Sequence, residues 1–152
     1  MKTSCAICGS EKTRRVRREF PAKYNQTPVS VHNAEMYECA DCGERFFTPE
    51  QARALSLAIK EQARNIAGLL SPEEIVAIRQ KLELTQNDLE NLFGLGPKVV
   101  TRWENGRVVQ SKAADVALRL LAFDPRNLKK LREERGQLQM AGAGHAAARG
   151  SR

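Results

Sequence analysis

Four cysteines constrain this chain more than any other feature. All fall within the first 42 of 152 residues, as Cys5-Ala6-Ile7-Cys8 and Cys39-Ala40-Asp41-Cys42, with thirty residues between the pairs. Two residues between thiolates let one short turn present both sulfurs to a single ion. The glycine after each pair, Gly9 and Gly43, frees the turn to aim backbone N–H groups at sulfur. Two such knuckles complete a tetrahedral four-sulfur shell, which suits zinc. A closed shell leaves no position for water, so one structural zinc is expected, not a catalytic one. Disulfides are disfavoured in a reducing cytoplasm. A redox Cys-x-x-Cys needs only one pair, usually in a βαβ setting that is absent here. His32 and His145 are left outside the shell.

The rest of residues 1–47 shows only short β-like runs, Val16 to Phe20, Val29 to Val31 and Met36 to Tyr37, broken by Pro21, Asn25 and Pro28. So small a core predicts that this domain folds with its metal. Helix signals then take over. Thr48-Pro49-Glu50-Gln51 is a capping box with proline in the first turn, and Leu55, Ile59, Ala63 and Ile66 recur at helical spacing up to Gly68. Residues 48–70 are read as a helix joining two halves. Residues 71–135 predict an all-helical domain of five helices. Ser71, Thr85 and Ser111 cap three of them, and Asp124-Pro125 opens a basic fifth. The Gly94-Leu95-Gly96-Pro97 turn feeds the third, which Asn105-Gly106 ends. Val116, Leu120 and Leu121 are expected to face its core. The tail, 136–152, is expected to be disordered. The fold class is α+β: a small β-rich zinc domain, a linker helix and a helical domain.

Net charge is +7, but its placement matters more than its sum. Residues 1–24 and 126–152 each carry seven Lys/Arg against two Glu, whereas 25–125 carry eleven basic and fourteen acidic residues. The basic ends fit flexible solubilising tails as well as a polyanion partner. No apolar run approaches the ~18 residues of a membrane span, and no signal-peptide pattern opens the chain. A cytoplasmic, soluble protein without membrane contact is expected. No Ser/His/Asp arrangement, His-Glu-x-x-His motif or phosphate-binding glycine loop occurs. Neither an enzyme nor a small-molecule substrate is expected.

The stretch LTQNDLENLFGLGPKVVTRWENG is the most specific part of the helical half. Leu84, Leu89, Leu92, Val99 and Trp103 can share a core between two short helices. The second helix then presents Lys98, Thr101, Arg102 and Asn105 outward. From Lys98 to Lys112 there are four basic residues against Glu104 alone, a local excess of three in a slightly acidic region. A recognition helix for the DNA major groove has this form.

The segment resembles the helix-turn-helix of Cro/C1-type (XRE) repressors, through Leu84-Thr85-Gln86, Leu89, the glycine of Phe93-Gly94, and Arg102-Trp103-Glu104-Asn105-Gly106. The resemblance implies that Lys98, Thr101 and Arg102 reach base edges, that Gln86 holds a phosphate, and that Arg79 pairs with Glu104. It also implies backbone contacts from Asn105 and Arg107, and Lys112 is expected to hold a phosphate with them. The whole arrangement, two zinc knuckles followed by such a domain, is similar to the MqsA antitoxins (the YgiT-type zinc-finger family) over roughly residues 3–132. That resemblance implies a ribonuclease toxin bound by the zinc domain. It also implies a homodimer formed through the C-terminal domain, and autorepression at a palindromic operator. A stand-alone zinc-finger and helix-turn-helix regulator without a toxin is the alternative. The family pattern has Asn where this chain has Lys98. Asn suits adenine and Lys favours guanine or phosphate, so a different operator is expected.

Overall fold

A computed structural model describes residues 3–134; the tail over 136–152, with His145, lies outside them. The chain divides into two compact units, Met1–Leu69 and Leu70–Arg152.

The first unit is built on a long hairpin. Strands β1 (Thr13–Tyr24) and β2 (Thr27–Cys39) pair antiparallel from Thr13/Cys39 to Tyr24/Thr27. The two-residue turn places Asn25 and Gln26 at φ 45° and 69°, the left-handed pair whose twist matches the strands it joins. The strands run straight through Pro21 and Pro28, where the sequence predicts breaks. Tyr24 and Thr27 close the turn and exchange ladder hydrogen bonds. The pairs Lys23/Pro28 and Pro21/Ser30 therefore fall where the N–H would point away from the partner strand. Strand β3 (Arg45–Phe46) pairs only with Tyr37 and Glu38. It never reaches that end, so neither proline removes a bond the sheet needs.

A bulge explains the weak alternation in the sequence. Arg18 pairs with Ala34 and Phe20 with Val31, so His32 and Asn33 together oppose Glu19. Asn33 takes up the extra residue at φ 60°. On either side of it Val16, Phe20, Val31, Ala34 and Met36 come to one face, joined by Phe47. Helix α1 (Pro49–Ile66) has its capping box formed, with Thr48 Oγ1 accepting from Gln51 N at 3.3 Å and Gln51 Oε1 accepting from Thr48 N at 3.0 Å. It lays Leu55, Ala58 and Ile59 on that face. The stretch read as a connector thus covers the apolar face of the first unit's sheet, while Ile66 at its end is exposed.

The second unit contains α2 (Pro72–Lys81), α3 (Gln86–Phe93), α4 (Val99–Glu104), α5 (Lys112–Phe123) and a helical stretch over 126–134. Ser71, Thr85 and Ser111 cap α2, α3 and α5 through their hydroxyls. Gly94 ends α3 in the left-handed region at φ 66°, and Leu95 N then returns to Glu90 O at 2.8 Å. Ile75, Leu89, Val100, Leu118 and Leu121 form the closed centre, with Trp103 against it. Two expectations shift. Val100, not Val99, is fully buried. On α5 the inward positions are Leu118 and Leu121, whereas Val116 and Leu120 are more than half exposed. Leu118 and Leu121 are one helical turn apart, and Val116 and Leu120 form a separate stripe beside them.

Candidate metal centre and nucleic-acid interface

The hairpin brings the two cysteine knuckles together. Thr13 pairs with Cys39 at the open end of the ladder, and Ala40 N donates to Lys12 O at 2.8 Å, so the second knuckle lies beside the chain leaving the first. Each knuckle closes in the same way. Gly9 N donates to Cys5 O at 2.9 Å and Gly43 N to Cys39 O at 3.0 Å, with both glycines near φ 70°. The four sulfurs lie within 4.8 Å of one another, with Cys5–Cys42 at 3.7 Å and Cys8–Cys39 at 3.6 Å. A tetrahedron of sulfurs at ~2.3 Å from one ion has edges of about 3.8 Å, so the cluster already has the size of a metal shell.

The thiols also have the electrostatics of ligands. The N–H of Cys42 brings Cys39 down to about 7 against the burial that opposes it. Cys42 is pulled down by the Glu44 N–H, yet the neighbouring thiols, Cys8 foremost, push it up to about 12. Ionising one sulfur therefore opposes ionising the next, and a cation in the centre removes the conflict. Cys5 and Cys39 are buried and Cys8 and Cys42 exposed. Cys5, Cys8, Cys39 and Cys42 thus fit a structural metal site, and His32 is an exposed β2 residue apart from it.

Helices α2, α3 and α4 are held by a different device. Arg79 of α2 makes a two-pronged contact with Glu104 of α4, with the Nη2–Oε2 arm at 3.1 Å, and its Nη1 donates to Leu84 O at 3.0 Å. Gln86 Nε2 donates to the same carboxylate at 2.6 Å, while Gln86 Oε1 accepts from Thr101 Oγ1 at 2.8 Å. One carboxylate thus ties α2, α3 and α4 together. Gln86 and Thr101 are half-buried and use their polar atoms on this bracket, whereas Lys98, Arg102, Asn105, Arg107 and Lys112 are exposed. Glu104 is turned inward onto Arg79, so it offsets little of the charge on the outer cations.

Lys98 is not a helical residue. It is the N-cap of α4 at φ 61°, ψ 16°, and Arg102 folds over it, donating to Lys98 O at 3.1 Å and Pro97 O at 3.2 Å.

The sequence profile of the family described as the antitoxin component of a bacterial toxin-antitoxin system, MqsA, matches residues 1–132. The chain belongs to the MqsA antitoxin family. It is similar to Antitoxin MqsA of Escherichia coli (strain K12), 25% identical over 129 residues, which cover 84% of this chain and 98% of that relative. An antitoxin is the regulatory member of a toxin–antitoxin pair, in keeping with a metal site whose four ligands close the shell.

Other residues that build the antitoxin's helical unit carry no motif. Glu90 is buried, and its Oε1 accepts from Val100 N at 3.0 Å, fixing the start of α4 to α3. Asp115 accepts from Leu70 N at 2.7 Å and from Arg119 at 2.7 Å, and Gln110 donates to Leu70 O at 2.8 Å. In sequence, acids at 90 and 115 look like ordinary solvated helix positions. Only the distant backbone group each one meets gives it a role. Among the described residues no helix is long and apolar enough to cross a membrane.

Proposed function

We propose that this antitoxin is a zinc-stabilised, dimeric repressor that binds its own operator through α4 and neutralises a ribonuclease toxin through its first unit in the cytoplasm. The observation that carries the DNA reading is the division of α4. Val100, Trp103 and Glu104 face inward and are fixed, while Arg102, with Lys98 and Asn105 at its two ends, lies on the exposed side. Arg102 and Lys98 are the base-reading residues, with Thr101 beside them. Asn105, Arg107 and Lys112 hold phosphates. Gln86, committed to Glu104 and Thr101, contributes by holding the bracket and adds a phosphate contact from its place at the start of α3.

Two copies reading a palindrome place their recognition helices about 34 Å apart. The exposed stripe Val116, Leu120 and Phe123 on α5 supports a dimer through this unit, with Phe123 80% exposed and Leu120 on the wall of a groove of about 340 Å³ that Phe93, Leu121 and Leu131 also line. A large apolar patch on a small unit calls for a cover. Zinc is the metal because four thiolates in a closed tetrahedron suit it, and bound there it supplies folding energy.

The test is operator binding. Arg102→Ala should weaken binding by about 1–3 kcal/mol and relax preference at one base pair; unchanged affinity and preference would remove Arg102 from the base-reading set. The toxin reading is tested by co-expression with the product of the adjacent gene, where failure to co-purify counts against it.

A further inference from the structure

Assembly of the metal shell from two knuckles far apart in sequence raises the question of what holds them to each other before and during metal binding. Neither the family motif nor the thiol chemistry answers it. One main-chain link joins the knuckles, Ala40 N donating to Lys12 O. Two more links run through side chains, and a third contact braces them within the first knuckle's chain. Ser10 Oγ donates to Asp41 Oδ2 at 2.7 Å, Lys12 Nζ donates to Asp41 Oδ1 at 3.2 Å, and Lys12 N donates to Ser10 Oγ at 3.0 Å. The Ser10 hydroxyl thus accepts from one neighbour while donating to another. Both oxygens of Asp41 are engaged by the opposite knuckle's chain.

Asp41 occupies an unusual place for a carboxylate. It is a spacer between Cys39 and Cys42, adjacent to a shell that carries two net negative charges once four thiolates surround a divalent ion. The other spacers, Ala6, Ile7 and Ala40, are apolar. A carboxylate at this position opposes ionisation of its neighbours, and the Lys12 ammonium offsets it locally. Its backbone is also tied to the shell, because the Asp41 N–H points at the Cys39 sulfur. One residue therefore connects a metal ligand, through its main chain, to the other knuckle, through its side chain. Cys42, one position further on, is an exposed ligand, the kind through which a bound metal is most open to a competing chelator.

We infer that Ser10, Lys12 and Asp41 form a clasp that docks the two knuckles on each other, and that Asp41 is a positioning residue setting how fast the bound metal is released. The inference rests on the zinc reading above. Outer contacts of this kind typically change metal affinity by 10–100-fold when removed, because a ligand loop freed from its neighbour swings away more often.

The full-length chain is purified and its zinc content measured. Release is then followed with the chromogenic chelator 4-(2-pyridylazo)resorcinol, and cobalt substitution reports the ligand set by its absorption. Asp41→Ala and Ser10→Ala should each speed zinc release by about tenfold while keeping the tetrahedral thiolate spectrum of cobalt. Ser10→Thr, which retains the hydroxyl, should release at the wild-type rate. Ser10→Ala changes no charge. Loss of the Asp41 carboxylate by electrostatics alone would favour the thiolates and slow release, so slower release from Asp41→Ala, or faster release from Asp41→Ala without faster release from Ser10→Ala, overturns the clasp. Wild-type rates in both variants also overturn it, and leave the zinc reading intact. A wild-type chain that purifies without metal and takes up neither zinc nor cobalt overturns both.

Discussion

Replacing Glu104 by Ala tests whether the bracket or the apolar core fixes α4. Glu104 and Arg79 have side chains only 7% and 15% exposed. Two opposite charges ~4 Å apart attract by about 4 kcal/mol at an effective dielectric near 20. Removing one member of a buried pair strands the other, at a typical cost of about 3–5 kcal/mol. Arg79 keeps its bond to Leu84 O and touches solvent, whereas Gln86 loses an acceptor. The expected loss is therefore about 3 kcal/mol, at the lower edge of that range. In a unit of this size it lowers the melting temperature by roughly 10–20 °C. Urea unfolding followed by Trp103 fluorescence reads this unit alone, since it holds the chain's one tryptophan; circular dichroism checks that the probe's proximity to residue 104 does not distort the midpoint. The double change Arg79→Met with Glu104→Leu should recover most of the loss, because no charge is left stranded. A loss below ~0.5 kcal/mol for Glu104→Ala, or a double variant no better than the single one, would refute the argument and assign the position of α4 to Val100 and Trp103.

Three further outcomes follow from the same geometry. Stripping the metal with a strong chelator should abolish the β-sheet signal of the first unit while leaving the Trp103 unfolding transition in place; a retained β signal would show that Val31, Ala34 and Met36 hold the sheet without metal. Burial of Asp115 opposes its ionisation, but the Leu70 N–H, Arg119 and Gln110 outweigh it and hold the carboxyl below its ordinary value. Its contribution is therefore complete above about pH 4 and is lost as pH falls through the lowered folded value. Asp115→Asn should be less stable at pH 7 and flatter in acid, and an unchanged acid limb would exclude Asp115 as its source. Lys98→Asn should stabilise the second unit by about 0.5–1 kcal/mol, because Asn tolerates positive φ better, and should move operator preference from guanine towards adenine. Destabilisation, or an unchanged base preference, would count against Lys98 as a reader.

Much of the fold was legible because it is written in local chemistry. Cap hydroxyls at Ser71, Thr85 and Ser111 mark helix starts, and such signals act within a few residues. The hairpin was harder to read. Its two prolines look like breaks until the register is known, and the Asn33 bulge resets the alternation halfway along. Whether a proline costs a hydrogen bond depends on which strand lies beside it, a fact held by residues elsewhere in the chain. The apolar stripe on α5 was misread for a related reason. Periodicity shows that Val116, Leu120 and Leu121 are apolar, but the packing of neighbouring helices decides that Leu118 and Leu121 are the ones covered.

Within the site, the residues divide by whether their role is a matter of identity or of backbone. The four cysteines were legible because metal chemistry dictates both residue type and spacing. Lys98 was legible as a cation but not as a left-handed N-cap, because φ is set by the turn from Gly94 to Pro97 and by the Arg102 contacts over it. That conformation matters to the functional reading. A lysine in the left-handed region costs of order 1 kcal/mol, and its side chain makes no cap bond to offset that cost. A glycine or asparagine would occupy the turn more easily. On the proposed DNA reading, what that exposed charge meets outside the protein would offset the disfavoured backbone. Arg102, one turn on, lies across the same carbonyls, so reading a base as proposed would require it to leave Pro97 O and Lys98 O. On the proposed DNA reading the two cations are thus coupled: moving Arg102 outward would remove the donors that cover the strained turn, and an operator would have to supply contacts that outweigh that loss.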